Sequence, residues 1–156
     1  MNKHLETLAE LGKQIAEQDS RLTDQPMFIV FQKREIVAHE DYDHDRIVWV
    51  DDEGNEADEA TTVQLNAMRE DTESLAWLED EIELGDEERR EWRRLAIKEI
   101  DVFVTACFTE QGCKDFLAIH GHNLRRPFIC AAGSFRNREY QQLRRLMLEL
   151  AEEVPA

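Results

Sequence analysis

The chain has 156 residues, of which 42% are hydrophobic and 35% charged, with a formal net charge of −16. This length and composition suit one domain with a modest core. No apolar run approaches the roughly 20 residues that cross a bilayer, a secretory leader pattern is absent, and three cysteines make a secreted disulfide framework improbable, so we expect a cytoplasmic protein without membrane contact.

The negative charge is concentrated in one region. Residues 40–91 contain 21 acids against four arginines, a net charge of −17. Residues 125–145 contain six arginines against the single acid Glu139. The sequence therefore predicts one anionic and one cationic surface, and a binding protein more readily than an enzyme.

The first predicted element is an amphipathic helix over residues 4–22. Leucine and isoleucine recur there at spacings of three, four and seven, with charged residues between them. Its apolar stripe has two possible partners, the rest of the domain or a second copy of the chain. The sequence leaves both open.

Two β-favouring runs follow, over residues 27–31 and 47–50. Ile36 and Val37 either continue the first strand or form its hairpin partner. The second run lies between two acidic turns. Residues 60–84 predict one or two sparsely apolar helices with an acidic outer face, which Gly85 and Asp86 end. A charged segment over 87–94 follows.

The last third of the chain predicts a β-α-β-α unit. Residues 100–108 form the strongest strand signal, and Thr109 is a helix N-cap for residues 110–120. We expect Cys113, Phe116, Leu117 and His120 on the apolar face of that helix, and Gly121 as its left-handed C-cap. A short strand over 128–132 comes next.

Asn137 caps the final predicted helix, with Tyr140, Leu143, Met147 and Leu150 facing inward. The whole chain is thus predicted to be an α+β fold, with a small mixed sheet and flanking helices. We expect a single domain over 1–156, made of the N-terminal helix (4–22), an acidic region (27–99) and the β-α-β-α unit (100–152).

Neither metal pattern in the sequence fits a site. Cys113 and His120 are seven residues apart on one predicted helix, about 10 Å of rise, which is too far for two ligands of one zinc, even with Cys107 and His122 nearby. The Asp41-x-Asp43-x-Asp45 run resembles a calcium loop, but Arg46 stands where that loop needs glycine. We expect no metal, no cofactor and no catalytic residues.

Three short segments carry a resemblance. They are FVTACFTEQGC at residues 103–113, GHNL at 121–124 and SFRN at 134–137. Together they resemble uncharacterised accessory proteins of tailed phages and prophages. The resemblance implies no activity, but it implies a phage gene outside replication and virion assembly, where inhibitors of host defence are common.

The first functional hypothesis is a phage-encoded inhibitor of the anti-CRISPR or anti-restriction type, acting in the host cytoplasm. Its acidic surface would mimic DNA and bind a nucleic-acid-handling host defence complex, without binding nucleic acid itself. The predicted contact residues are Glu40, Asp41, Asp43, Asp45, Asp51, Asp52, Glu53, Glu56, Asp58, Glu59, Glu79, Asp80, Glu81, Glu83, Glu87 and Glu88.

Two alternatives stay open at this point. A small module could bind a phosphorylated or nucleotide signal at a basic C-terminal site formed by His122, Asn123, Arg125, Arg126 and Arg136, because arginine forks match oxyanions. The second alternative is a structural, homo-oligomeric phage protein. Its subunits would form a homodimer through the N-terminal or the C-terminal helix.

Overall fold

The computed structural model describes residues 2–21, 23–71, 81–83 and 91–154. Four α-helices, one 3-10 turn and five strands occur there, and the predicted α+β class is confirmed. In chain order they are α1 (Lys3–Glu17), β1 (Pro26–Ala38), β2 (Arg46–Val50), α2 (Glu59–Asp71), β3 (Glu81–Glu83), β4 (Glu91–Cys107), α3 (Glu110–His120), the 3-10 turn (Gly121–Asn123), β5 (Phe128–Gly133) and α4 (Arg138–Glu153).

The strands form a sheet in the order β2-β4-β1-β5, and β3 pairs with β4. The sheet is antiparallel, whereas we expected a mixed sheet. The two strands of the predicted β-α-β-α unit, β4 and β5, are not neighbours, because β1 lies between them and pairs with β5 in the register Phe31 to Phe128 and Phe28 to Ala131. Ile36 and Val37 continue β1.

The residues fall into two compact units where one domain of three consecutive segments was expected. Unit 1 comprises Met1–Arg34 and Asp101–Ala156, and unit 2 comprises Glu35–Ile100. The boundaries lie inside β1 and β4, so each of these long strands contributes residues to both units. Unit 2 nearly coincides with the acidic region predicted over 27–99.

The core of unit 1 forms where α3 packs on the sheet. Phe28 and Val30 alternate along β1 and are fully buried with Cys113 of α3. Thr109 accepts a hydrogen bond from the Gly112 amide at 3.0 Å, as predicted for an N-cap.

The predicted end of α3 is wrong in one respect. Gly121 has φ −59° and ψ −29°, so the chain continues into the 3-10 turn without a left-handed residue. His120 is exposed rather than inward-facing, and its ring lies 4.8 Å from that of Phe116.

Helices α1 and α4 pack against each other within unit 1. Ala9, Gly12 and Ile15 are buried on α1, so its apolar stripe lies on the same chain. The helix ends at Glu17 rather than at residue 22, because Gln18 adopts an extended conformation and its side chain bonds the Phe108 carbonyl and the Glu110 amide.

The start of α4 follows the prediction, since Asn137 caps it by accepting from the Tyr140 amide at 3.0 Å. Tyr140 and Met147 are buried. Leu143, expected inward, is 40% exposed.

Unit 2 has its own small core, formed by Trp49 of β2, Leu65 of α2 and Trp92 of β4. Helix α2 confirms the first part of the helical prediction over 60–84, but Glu81–Glu83 is a strand paired with Glu91–Arg93. Residues 72–80 and 84 lie outside the described part.

Strand β4 begins at Glu91, nine residues before the predicted start. The sequence predicts a charged segment over residues 87–94, which includes these first residues of β4. They are strand because they pair with β2 and β3 and because Trp92 is buried, which offsets the low strand preference of charged neighbours.

Candidate functional site

The two units differ in net charge. Unit 2 contains 23 acids against seven lysines and arginines, a net charge of −16. Unit 1 contains 12 acids against 12 lysines and arginines, a net charge of zero. The net charge of the whole chain therefore belongs to the 66 residues from 35 to 100.

Some of the predicted contact acids form ion pairs inside unit 2. Glu40 pairs with Arg94 and lies 3.8 Å from Arg69, and the hydrogen bond from Arg94 lowers the pKa of Glu40. Asp43 bonds Lys98 at 2.7 Å, which lowers the pKa of Asp43. Both carboxylates stay ionised at neutral pH, but they are partly neutralised by their own partners.

Two further acids hold the start of β2 in place. Asp45 accepts a hydrogen bond from the Glu99 amide at 2.5 Å. Glu56 bonds Arg46 at 3.0 Å, and the same guanidinium also reaches Glu35 at 3.1 Å. The hydrogen bonds from Arg46 to Glu56 and Glu35 raise the pKa of the arginine.

Asp51 and Asp58 accept hydrogen bonds from backbone amides, and of the two only Asp51 is buried. Asp51 is buried, and its Oδ1 accepts the amides of Glu53 at 3.0 Å and Asn55 at 2.8 Å. Asp58 caps α2 by accepting the Thr61 amide at 2.7 Å, and this bond lowers the pKa of Asp58.

The remaining described acids of the predicted set are exposed and available to a partner. Asp41 has a side chain 86% exposed, with His39 3.6 Å away. Asp52, Glu53 and Glu59 are also exposed. The side chains of Glu79, Asp80, Glu81, Glu83, Glu87 and Glu88 lie outside the described residues.

The predicted basic site is not brought together. His122 and Asn123 lie in the 3-10 turn, and Arg125 and Arg126 follow it before β5. Arg136 comes after the other end of β5, on the order of 17 Å away at 3.3–3.4 Å per strand residue. Its guanidinium lies 5.3 Å from the Phe135 ring. These five residues do not form one pocket.

Of the cysteine and histidine set considered for zinc, Cys107 and Cys113 lie side by side, and His120 and His122 are exposed. Cys113 is fully buried beside Cys107, and burial raises the pKa of its thiol to about 12. Among the described residues, no group of three or more His, Cys, Asp or Glu side chains is arranged to hold a metal ion.

Three phenylalanines that the sequence did not single out come together in unit 1. Phe31 stacks on Phe128 with ring centroids 5.6 Å apart, and meets Phe103 edge-on at 6.4 Å. They come from β1, β5 and β4, so only the strand order brings them side by side. No local sequence signal reports such a cluster.

Comparisons with protein-family models, curated proteins and solved structures give no match for this chain. In the described part, no helix combines the length and the apolar composition that crossing a membrane requires. The resemblance to phage accessory proteins stays a prediction.

Proposed function

We propose that this chain is a binding protein whose unit 2 occupies the Lys- and Arg-lined groove of a nucleic-acid-handling protein in place of nucleic acid. The observation that supports the proposal is the separation of charge, −16 on unit 2 and zero on unit 1. Surface charge that serves solubility is usually distributed over the whole molecule with both signs mixed. An acidic surface confined to one folded unit therefore favours a binding role.

The physical basis is electrostatic. Duplex DNA carries one negative charge per about 1.7 Å of axis, and a protein that binds it presents a complementary cationic groove. The exposed carboxylates Asp41, Asp52, Glu53 and Glu59 can enter such a groove. The field of unit 2 would also accelerate the encounter, and salt would weaken it.

The partner we propose is a host defence complex, either a CRISPR effector or a restriction enzyme, met in the host cytoplasm. This assignment comes from the resemblance of residues 103–137 to phage accessory proteins, together with the charge of unit 2. The protein would then act as an inhibitor that keeps target DNA from its binding groove.

The test is competition for a defence nuclease. Purified protein should displace labelled duplex DNA from a CRISPR effector or restriction enzyme, with an inhibitory concentration that rises with salt. A unit 2 variant, with Asp41→Asn, Asp52→Asn, Glu53→Gln and Glu59→Gln, should displace the duplex at least about 10-fold less well, since each removed charge reduces the complementarity.

A matched unit 1 variant controls for total charge. It removes an equal number of negative charges from exposed positions on α1 and α4, through Glu10→Gln, Glu17→Gln, Glu149→Gln and Glu152→Gln. This variant should inhibit like the parent protein. The proposal fails if the parent protein displaces no duplex from any CRISPR or restriction nuclease tested, or if both variants lose inhibition equally.

A further inference from the structure

The phenylalanine cluster of unit 1 lies on the sheet face opposite the core. Val30 and Ile129 pair directly and face α3, so Phe31 and Phe128, the next directly opposed pair, point to the other face. Phe103 is 59% exposed there. Phe31 and Phe128 are half-buried, so Phe103 is the open ring of the cluster.

Cationic side chains lie at the same corner of the sheet. Lys33 Nζ is 4.7 Å from the centroid of the Phe128 ring and bonds Asp101 at 2.6 Å. The Lys33 amide donates to the Arg125 carbonyl at 2.9 Å, which places Arg125 and Arg126 beside it. Arg125 and Arg126 are both exposed.

We infer that this aromatic corner binds single-stranded nucleic acid, with a base stacked on the exposed Phe103 ring and phosphates near Lys33, Arg125 and Arg126. Exposed aromatic rings on a sheet, combined with cations that track a backbone, are the means by which proteins bind single strands. Each nucleotide offers both an aromatic face and a negative charge, so it complements both features of the corner.

A second copy of the chain fits this corner less well. Pairing the surface with itself across a two-fold axis would have to bring the same cations of two copies, Lys33, Arg125 and Arg126, into one interface. The inference goes beyond the proposed function because it uses unit 1 and a different ligand. It also departs from the expectation, drawn from the acidity of the chain, that the protein does not bind nucleic acid.

The test is binding of a fluorescent oligo-dT or oligo-rU strand of about 15 nucleotides to the full chain, measured by anisotropy. At about 0.15 M salt the Debye length is about 8 Å, which limits repulsion from unit 2. We expect saturable binding that Phe103→Ala weakens by about 5-fold to 100-fold, since that substitution removes a stacking ring. Phe103→Trp should preserve binding.

Phe135→Ala is the matched control. Phe135 is 61% exposed, close to the value for Phe103, but it follows the far end of β5. The control should bind the strand like the parent chain. Arg125→Gln should weaken binding and reduce its salt dependence, because one phosphate contact is removed.

Two results would overturn the inference. One is the absence of any anisotropy change with either strand. The other is a Phe103→Ala effect on self-association in sedimentation, or on capture of a protein, with no effect on oligonucleotide binding. The unit 2 variant separates this inference from the proposed function, because it should keep oligonucleotide binding while losing competition for the nuclease.

Discussion

Gly12 allows α1 to lie against α4. A Cβ atom at this position would lie 1.9 Å from the carbonyl oxygen of Met147 and 3.0 Å from the Cβ of Ala151. The first contact is with backbone, which cannot rotate away as a flexible side chain can. The two helices are so close at this position that only glycine, which has no Cβ atom, fits between them.

Gly12→Ala should therefore destabilise unit 1. We expect a loss of about 1–3 kcal/mol in the free energy of unfolding, the usual cost of overpacking, measured by urea denaturation followed by circular dichroism. Separation of α1 from α4 would relieve the clash at the expense of their shared contacts.

Gly121→Ala is the paired control at the residue scale. Gly121 has a right-handed helical conformation, and its added Cβ would meet only Leu117 side-chain atoms at 3.7 Å. Alanine should stabilise the chain by about 0.4–1 kcal/mol, because it restricts the unfolded state. A loss of stability there would instead indicate the left-handed C-cap that the sequence suggested.

At the scale of elements, Leu65 packs α2 against the core of unit 2. Leu65 is fully buried against Trp49 and Trp92, and the Trp49 indole donates to the Asn66 side chain at 2.9 Å. Val63, on the same helix, is 65% exposed. Both residues are apolar positions of the helical segment predicted over 60–84. The spacing of apolar residues does not tell which of the two is buried.

Leu65→Ala should cost about 2–5 kcal/mol of unfolding free energy, from lost transfer energy and the cavity that remains. Val63→Ala should change it by no more than about 0.5 kcal/mol. Tryptophan fluorescence is a suitable signal because Trp49 and Trp92 form the core with Leu65, and the sequence has no tryptophan outside residues 35–100. Similar losses in both variants would contradict the assigned core.

At the scale of the whole molecule, the charge of unit 2 should reduce its own stability. A net charge of −16 over 66 residues implies mutual repulsion that salt screens. We expect the thermal midpoint seen by tryptophan fluorescence to rise with sodium chloride by several degrees. The unit 2 variant should show a smaller rise.

The unit 1 variant is again the comparison, because it removes the same number of charges from a unit with no net charge. Its midpoint should keep the full dependence on salt. A midpoint of the parent protein that does not change with salt would contradict the prediction, because the net charge of −16 already includes the cationic partners of Glu40, Asp43 and Glu56.

Features that depend on neighbouring residues in the chain were predicted from the sequence. Thr109 and Asn137 were assigned as helix caps because a cap bonds an amide two or three residues away. The start of β4 at Glu91 was missed, since it depends on pairing with β2 and β3. Asp51 and Asp58, predicted as contact acids, bond amides only two to four residues away, and the sequence did not single out these local bonds.

By itself the sequence determined the α+β class, the amphipathic helices and the concentration of acids within 40–91, because composition and periodicity are local properties. Only the tertiary structure decided which carboxylates stay available and that Phe31, Phe103 and Phe128 share one face. Their strands are adjacent in the sheet although they are distant in the chain, and strand order depends on packing of the whole sheet.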